Sequence, residues 1–336
     1  MRQVRVLDVL IFATLMTLST PILVWAHGTA GKRFFPTTLT IEDPFVSDEL
    51  SFQFDYIKEP GEVVDSPTKV TAISGEYSKT ITRSLGVSIG GEFRHLNPDE
   101  GTTENGFGNL DLGAKYQLFT NAPHEALLSL GLDVELGGTG SGSVGAESFS
   151  TFSPVLLFGK GFGDLPEALN FLKPLAITGR LGVDIPTRSK NVTTTVLQTN
   201  GENTDQANGE PVTENVTEIE REVEYNPTIL SWGFTVQYSL QYLQAFVKDV
   251  GLGVPFDRMI PVVEFPLETC LNRGCGGRTT GTVNPGLIWF GKYLQLGLEA
   301  AIPINDRSGK NIGVRGLVHF FIDDLFPQSL GRPIFR

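Results

Sequence analysis

Thr228–Tyr242 reads TILSWGFTVQYSLQY, with Leu230, Trp232, Phe234, Val236, Tyr238, Leu240 and Tyr242 on one parity and Ser231, Gly233, Thr235, Gln237, Ser239 and Gln241 on the other. Successive side chains of a strand point to opposite faces, so this segment has one apolar face and one small, polar face. It is also long for a strand. Strands in water-soluble proteins run to about 5 or 6 residues, whereas about 9 to 11 tilted residues cross a bilayer.

The same alternation returns along the chain. In Ser84–Arg94, Leu85, Val87, Ile89 and Phe93 oppose Gly86, Ser88, Gly90, Glu92 and Arg94. Asn109–Leu118 sets Leu110, Leu112, Ala114 and Tyr116 against Asp111, Gly113 and Lys115, and Ala126–Leu136 sets Leu128, Leu130, Leu132 and Val134 against Ser129, Gly131, Asp133 and Glu135. Leu175–Ile185 places Arg180 and Asp184 opposite its aliphatic residues, and Leu294–Ile302 does the same with Glu299. Ile312–Ile322 places Arg315 and His319 on its polar parity. Charges keep to one face throughout. A β-sandwich also alternates, but with shorter strands, so the pattern predicts a transmembrane antiparallel β-barrel whose apolar face is outside.

Twelve such segments can be placed, with ten to fourteen as the range: 49–58, 68–80, 84–94, 108–119, 125–137, 148–159, 173–186, 228–242, 258–269, 280–290, 293–304 and 311–322. An even number suits a single-chain barrel. Short links at 80–83 and 291–292 and long ones at 95–107, 138–147, 270–279 and 187–226 then put both chain ends on the periplasmic side of an outer membrane. The 187–226 stretch, with eight acidic residues between Glu202 and Glu224 and no apolar period, reads as an acidic external loop. It suits a cover over the pore, a surface for ions or a partner, or a merely solvated segment.

Residues 1–26 have the form of a secretory signal: Arg2 and Arg5, an apolar run Val6–Met16, then Val24-Trp25-Ala26 before His27. The remaining chain divides into a periplasmic N-terminal segment at 27–48, a barrel at 49–322 and a C-terminal tail at 323–336. The net charge of −12 argues against a nucleic-acid partner. The expected partners are outer-membrane lipid and lipopolysaccharide, the outer-membrane assembly machinery and a small-molecule solute. Cys270 and Cys275, in a polar Gly-rich loop, suit a loop-closing disulfide in an oxidising compartment. No metal or cofactor is implied, and zinc lacks a nearby histidine.

The inward parity supplies the candidate pore-lining residues Glu92, Arg94, Asp111, Lys115, Asp133, Glu135, Arg180, Asp184, Glu299, Arg315 and His319. It is also rich in small residues, among them Gly86, Gly90, Gly113, Gly131, Gly182, Gly233, Gly297 and Gly313. Two readings stand side by side: space left for a passage rather than a packed plug, and glycines that let strands coil. An enzyme would need a nucleophile beside a base. The four histidines, His27, His95, His124 and His319, offer no serine partner by spacing, so a non-enzyme is expected.

Gly106–Leu118, GFGNLDLGAKYQL, with Leu130–Ser141, LGLDVELGGTGS, and the stretch His27–Leu50, resembles the outer-membrane transporter family named after the meta-pathway of phenol degradation. The family's Gly-x-Gly-Asp has Asn109 in place of its Asp here, so no role for that acid carries over. The resemblance implies passive uptake of small, hydrophobic or aromatic molecules. The competing class is a structural or surface-binding barrel without transport.

Overall fold

The computed structural model describes residues 28–60, 66–204 and 211–335. The signal expected at 1–26, together with His27, lies outside them. Twelve strands form the wall: β1 (Glu49–Glu59), β2 (Thr68–Thr82), β3 (Leu85–Pro98), β4 (Leu110–Asn121), β5 (Ala126–Leu136), β6 (Thr151–Gly161), β7 (Leu175–Pro186), β8 (Ile229–Tyr238), β9 (Met259–Cys270), β10 (Thr279–Phe290), β11 (Leu294–Pro303) and β12 (Gly313–Phe321). Each pairs antiparallel with the next, and β12 returns to β1 through Val314↔Tyr56 to Phe321↔Glu49, which closes the barrel. Closure leaves no edge strand unpaired. Among the described residues no helix is long and apolar enough to cross a membrane, so any crossing is made by strands.

Burial is inside out, as the parity requires. In β8, Ser231, Gly233, Thr235 and Gln237 are buried while Trp232, Phe234 and Val236 are only half-buried. On the outer surface Phe54, Tyr56, Ile89, Leu130 and Leu298 are exposed, Leu298 by 62%. In water such a continuous apolar belt would be unfavourable by about 25 cal/mol per Å². Against hydrocarbon it costs nothing.

Proline interrupts pairing without breaking the wall. The β9–β10 ladder passes from Glu264↔Asn284 directly to Leu267↔Gly281, skipping the neighbourhood of Pro266, which has no N–H to donate.

Three expectations change. The eighth strand stops at Tyr238 rather than Tyr242, because the Ser239 hydroxyl accepts from Tyr242 N at 3.1 Å and caps a helical turn over Leu240–Tyr242. Leu240 and Tyr242 therefore leave the outer face, and Tyr242 turns inward. The 187–226 loop is not irregular: Lys190–Thr204 and Pro211–Tyr225 pair as a separate antiparallel hairpin, from Lys190↔Tyr225 to Thr204↔Pro211. Its β-branched residues, such as Val192 opposite Val223, suit a strand even where no core lies beneath.

The largest change concerns residues 28–48. Expected in the periplasm, they run inside the barrel instead and touch inward side chains of most of its strands. Phe34 and Leu39 complete an apolar cluster with Ile260, Val262, Ile288, Phe290, Leu317 and Phe321, and Phe35 and Phe45 form a second with Ala30, Leu127 and Ala176. The inward parity is thus apolar near the tight-turn end, where it packs on this segment.

Of the tail, Ile322–Leu325 make a helical turn, and Ile334 N and Phe335 N donate to Thr80 O and Ile81 O at 3.2 and 2.8 Å, folding the chain end over β2.

Candidate functional site: the plugged lumen

The inserted segment begins with a two-by-two hairpin, Thr29–Ala30 against Arg33–Phe34. This presents Arg33 to three connections at the tight-turn end. Its Nε donates to Glu125 Oε2 at 3.2 Å, Nη1 to Pro174 O at 2.8 Å and Nη2 to Lys173 O, while the guanidinium lies 3.8 Å from the centre of the Tyr242 ring. Tyr242 Oη and Gly163 N also donate to Glu125, at 2.8 and 3.1 Å. Glu125 itself adopts a left-handed conformation, φ 46°, ψ 44°. A buried charge is tolerated only when paired and fully hydrogen-bonded, and this cluster meets that condition. Burial and the Glu125 bond push the Tyr242 phenol above its ordinary value.

Further along, the plug bends on itself: Thr38 Oγ1 donates to Ile41 O at 2.6 Å, and Asp43 accepts from Phe45 N at 2.9 Å and Thr37 Oγ1 at 3.2 Å. The wall holds this bend from several sides. Glu264 accepts from Thr40 N (2.8 Å), Thr40 Oγ1 and Ile41 N (3.4 Å). Gln295 Nε2 donates to Thr37 O at 2.5 Å, Ser129 Oγ to Pro44 O at 2.5 Å, and Lys115 Nζ to Asp43 O at 2.7 Å with Glu42 at 2.8 Å. Asp48 then accepts from Thr80 N and Lys79 Nζ, at 2.7 and 2.8 Å, where the chain enters β1.

The small inward residues now have a visible use. A Cβ on Gly297 would lie 2.7 Å from Leu39 Cδ1, and one on Gly86 would lie 3.1 Å from Val46 Cγ1. These glycines are seats for plug side chains, so the expectation of an unfilled passage at those positions is overturned.

The inward charges are mostly paired. Arg180 Nη2 donates to Asp133 at 3.2 Å, Arg94 Nε is 3.1 Å from Glu92, Arg315 Nε is 3.6 Å from Asp55, and Glu135 accepts from Asn109 Nδ2 at 2.8 Å. Asp184 accepts from Ser231 Oγ at 3.3 Å. Asp111 lines two cavities beside the plug, of about 310 and 320 Å³, in company with Glu92. A larger cavity of about 690 Å³ lies on the long-loop side, with Leu39, Thr40 and Ile41 as its floor and Arg180, Ser231 and Arg315 among its lining. Asn109, singled out above only as a departure, holds Gly140 N (3.0 Å) and Glu147 O (2.9 Å) and so pins the loop after β5.

His319 is fully buried; its Nδ1 is 2.8 Å from Ser51 Oγ and its Nε2 4.0 Å from Glu49. That serine contact spans 268 residues and has no signature in spacing. His95 lies within β3, where it meets Asn105 at 2.5 Å, and His124, in the β4–β5 link, meets Asp164 at 2.9 Å. Cys270 and Cys275 are bonded, with Cα atoms 5.8 Å apart. Among the described residues no group of three or more His, Cys, Asp or Glu is placed to hold a metal.

No protein-family model matches the sequence, and no curated protein matches it. Among solved structures, the COG4313 outer membrane channel from Pseudomonas putida F1 superposes with a TM-score of 0.51, covering 85% of this chain and 99% of that one at 11% identity. The KdgM porin is more distant, with a TM-score of 0.43 and 10% identity over 81% of this chain and 98% of that one. At 11% identity the likeness to the COG4313 channel is one of fold.

Proposed function

We propose that the chain is an outer-membrane channel for passive uptake of small, hydrophobic or aromatic molecules, with residues 28–48 as its closing element. The observation that carries this reading is the filled lumen. Its plug is held to the wall by hydrogen bonds and by the ion pairs Arg33–Glu125, Lys115–Glu42 and Lys79–Asp48, which a change of state can release, and above it opens a cavity of about 690 Å³ with Leu39, Thr40 and Ile41 as its floor. The pore-lining candidates are then the inward charges flanking the plug, the chain ends are periplasmic, and the exposed outer belt meets lipid and lipopolysaccharide after delivery by the assembly machinery. The phenol meta-pathway resemblance supports this substrate class, and the fold shared with an outer-membrane channel supports the channel role.

The occupied lumen also favours a second reading, a structural or surface-binding barrel whose 187–226 hairpin meets a partner. Single-channel conductance of the refolded protein in planar bilayers separates the two. Deleting 28–48, or 187–226, should raise a conductance that small aromatics then lower. Silence in the wild type and in both deletions sinks the channel reading and leaves the structural one.

A further inference from the structure

The cavity of about 690 Å³ above the plug has five charged side chains in its lining, Arg180, Arg307 and Arg315 with Glu59 and Glu268. Which of these charges is already engaged decides what the cavity can hold. Glu59 is engaged, since its Oε1 accepts from Arg94 Nη2 at 3.0 Å. Arg315 on β12 has Glu299 and Asp55 as its register partners, yet Glu299 ends beside Glu264 and Asn284. Asp55 stands 3.6 Å from Arg315 Nε, and both its oxygens accept from Gln53 Nε2, at 3.2 and 3.0 Å. Arg315 Nε has no hydrogen-bond partner, and neither has Arg180 Nε, although Arg180 Nη2 reaches Asp133 at 3.2 Å.

A guanidinium carries five N–H donors in a fixed fork. Among the described residues one of them is used on Arg180 and none on Arg315. The two side chains come from β7 and β12, with four strands between them, and open onto one space. Arg307 stands at the mouth of that space, in the exposed β11–β12 link. Its turn is set by Asn305 Oδ1, which accepts from Arg307 N and Ser308 N at 3.1 Å, while Ser308 Oγ accepts from Gly281 N at 2.9 Å and ties the link to β10. The rest of the lining includes apolar surface: Leu39 and Ile41 on the plug, Ile57 on β1 and Pro266 on β9.

We propose that this cavity binds a small monocarboxylate with an apolar body. The proposal rests on the channel reading and names the class of solute that the channel takes. A guanidinium fork matches the two oxygens of a carboxylate, and unused donors on two arginines supply that match inside the lumen. The apolar body then lies on Leu39 and Ile41. Glu268 shares the lining and repels a second negative charge, so a monocarboxylate fits where a dicarboxylate does not. The volume lies in the range of about 300–1,000 Å³ that small-molecule sites occupy.

The test is equilibrium dialysis of radiolabelled benzoate on the refolded full chain in detergent, at neutral pH and low salt, for the wild type, R315A and R307A. Unlabelled benzoate and benzamide, its uncharged counterpart, serve as competitors. The wild type should take up one benzoate per chain, displaced by benzoate and not by benzamide. R315A should bind it about tenfold more weakly, as loss of a charged hydrogen-bonding partner implies. R307A should weaken binding by about threefold at low salt and by less at high salt, since its charge is exposed. Uptake by R315A equal to that of the wild type, or displacement by benzamide as effective as by benzoate, overturns the proposal. If R315A does not fold, R307A carries the comparison, because its side chain makes no ion pair among the described residues, and unchanged uptake by R307A then overturns it. Binding needs no conduction, so a silent barrel that takes up benzoate loses the channel reading alone, and a conducting barrel indifferent to benzoate loses the site alone.

Discussion

The Arg33 guanidinium and the Glu125 carboxylate form a buried ion pair, 3.2 Å long, across 92 residues of chain. It joins the start of the inserted segment to the β4–β5 link, and through Pro174 O and Tyr242 to the two longer connections at the same end. The plug is therefore anchored to three inter-strand links at one end of the wall.

Replacing Arg33 by Ala leaves Glu125 buried beside Tyr242 without its cation. Removing one partner of such a pair costs about 3–5 kcal/mol. R33A should show a lower melting midpoint and, in planar bilayers, more frequent openings than the wild type. An unchanged melting midpoint would mean that the latch contributes no stability.

Tyr242 gives the alkaline limb of stability a specific source. The folded protein holds the phenol proton more tightly than the unfolded chain does, because of burial and the bond to Glu125. Its contribution is complete below the ordinary phenol value of about 10 and declines as pH rises through and beyond it. Y242F should lose about 1 kcal/mol at pH 8 and decline less steeply than the wild type between about pH 10 and 11.5 in urea unfolding. Parallel curves would remove Tyr242 from the account.

Leu39 fits over Gly297 only because no side chain is there. G297L should overpack the contact, destabilise the protein by about 1–3 kcal/mol and expose residues 28–48 to protease. The outward-facing Gly316, whose Cβ position meets nothing nearer than 4.0 Å, is the control, and G316A should leave proteolysis unchanged.

Leu298 is 62% exposed on the outer belt. Facing hydrocarbon, a lysine there should cost about 2–4 kcal/mol in lipid vesicles. A surface leucine in water would tolerate the change almost without loss, so L298K measured by urea unfolding in vesicles tests the membrane-facing exterior directly.

What the sequence determined by itself is local and periodic. Alternation in Thr228–Tyr238 assigns each side chain to a face, the recurrence of that pattern counts twelve strands, and the link lengths separate one end from the other. Each depends on neighbours only a few residues away, which is why 49–59 and 294–303 could be placed almost to the residue. The strand end at Tyr238 was missed because Leu240 and Tyr242 continue the alternation, while Ser239 capping outweighs it. The hairpin at 190–225 was missed because a free-standing ribbon needs no apolar face. Only the tertiary structure decided what fills the barrel and which charges meet. Residues 28–48 carry no period of their own, and their partners Glu264 and Gln295 lie 224 and 258 residues away from the plug atoms they hold. Arg315 has an acidic residue on either side in register and turns to Asp55, leaving Glu299 against Asn284 and Glu264. Parity can place all of these side chains in the lumen, but pairing is decided by distance and desolvation inside a closed wall.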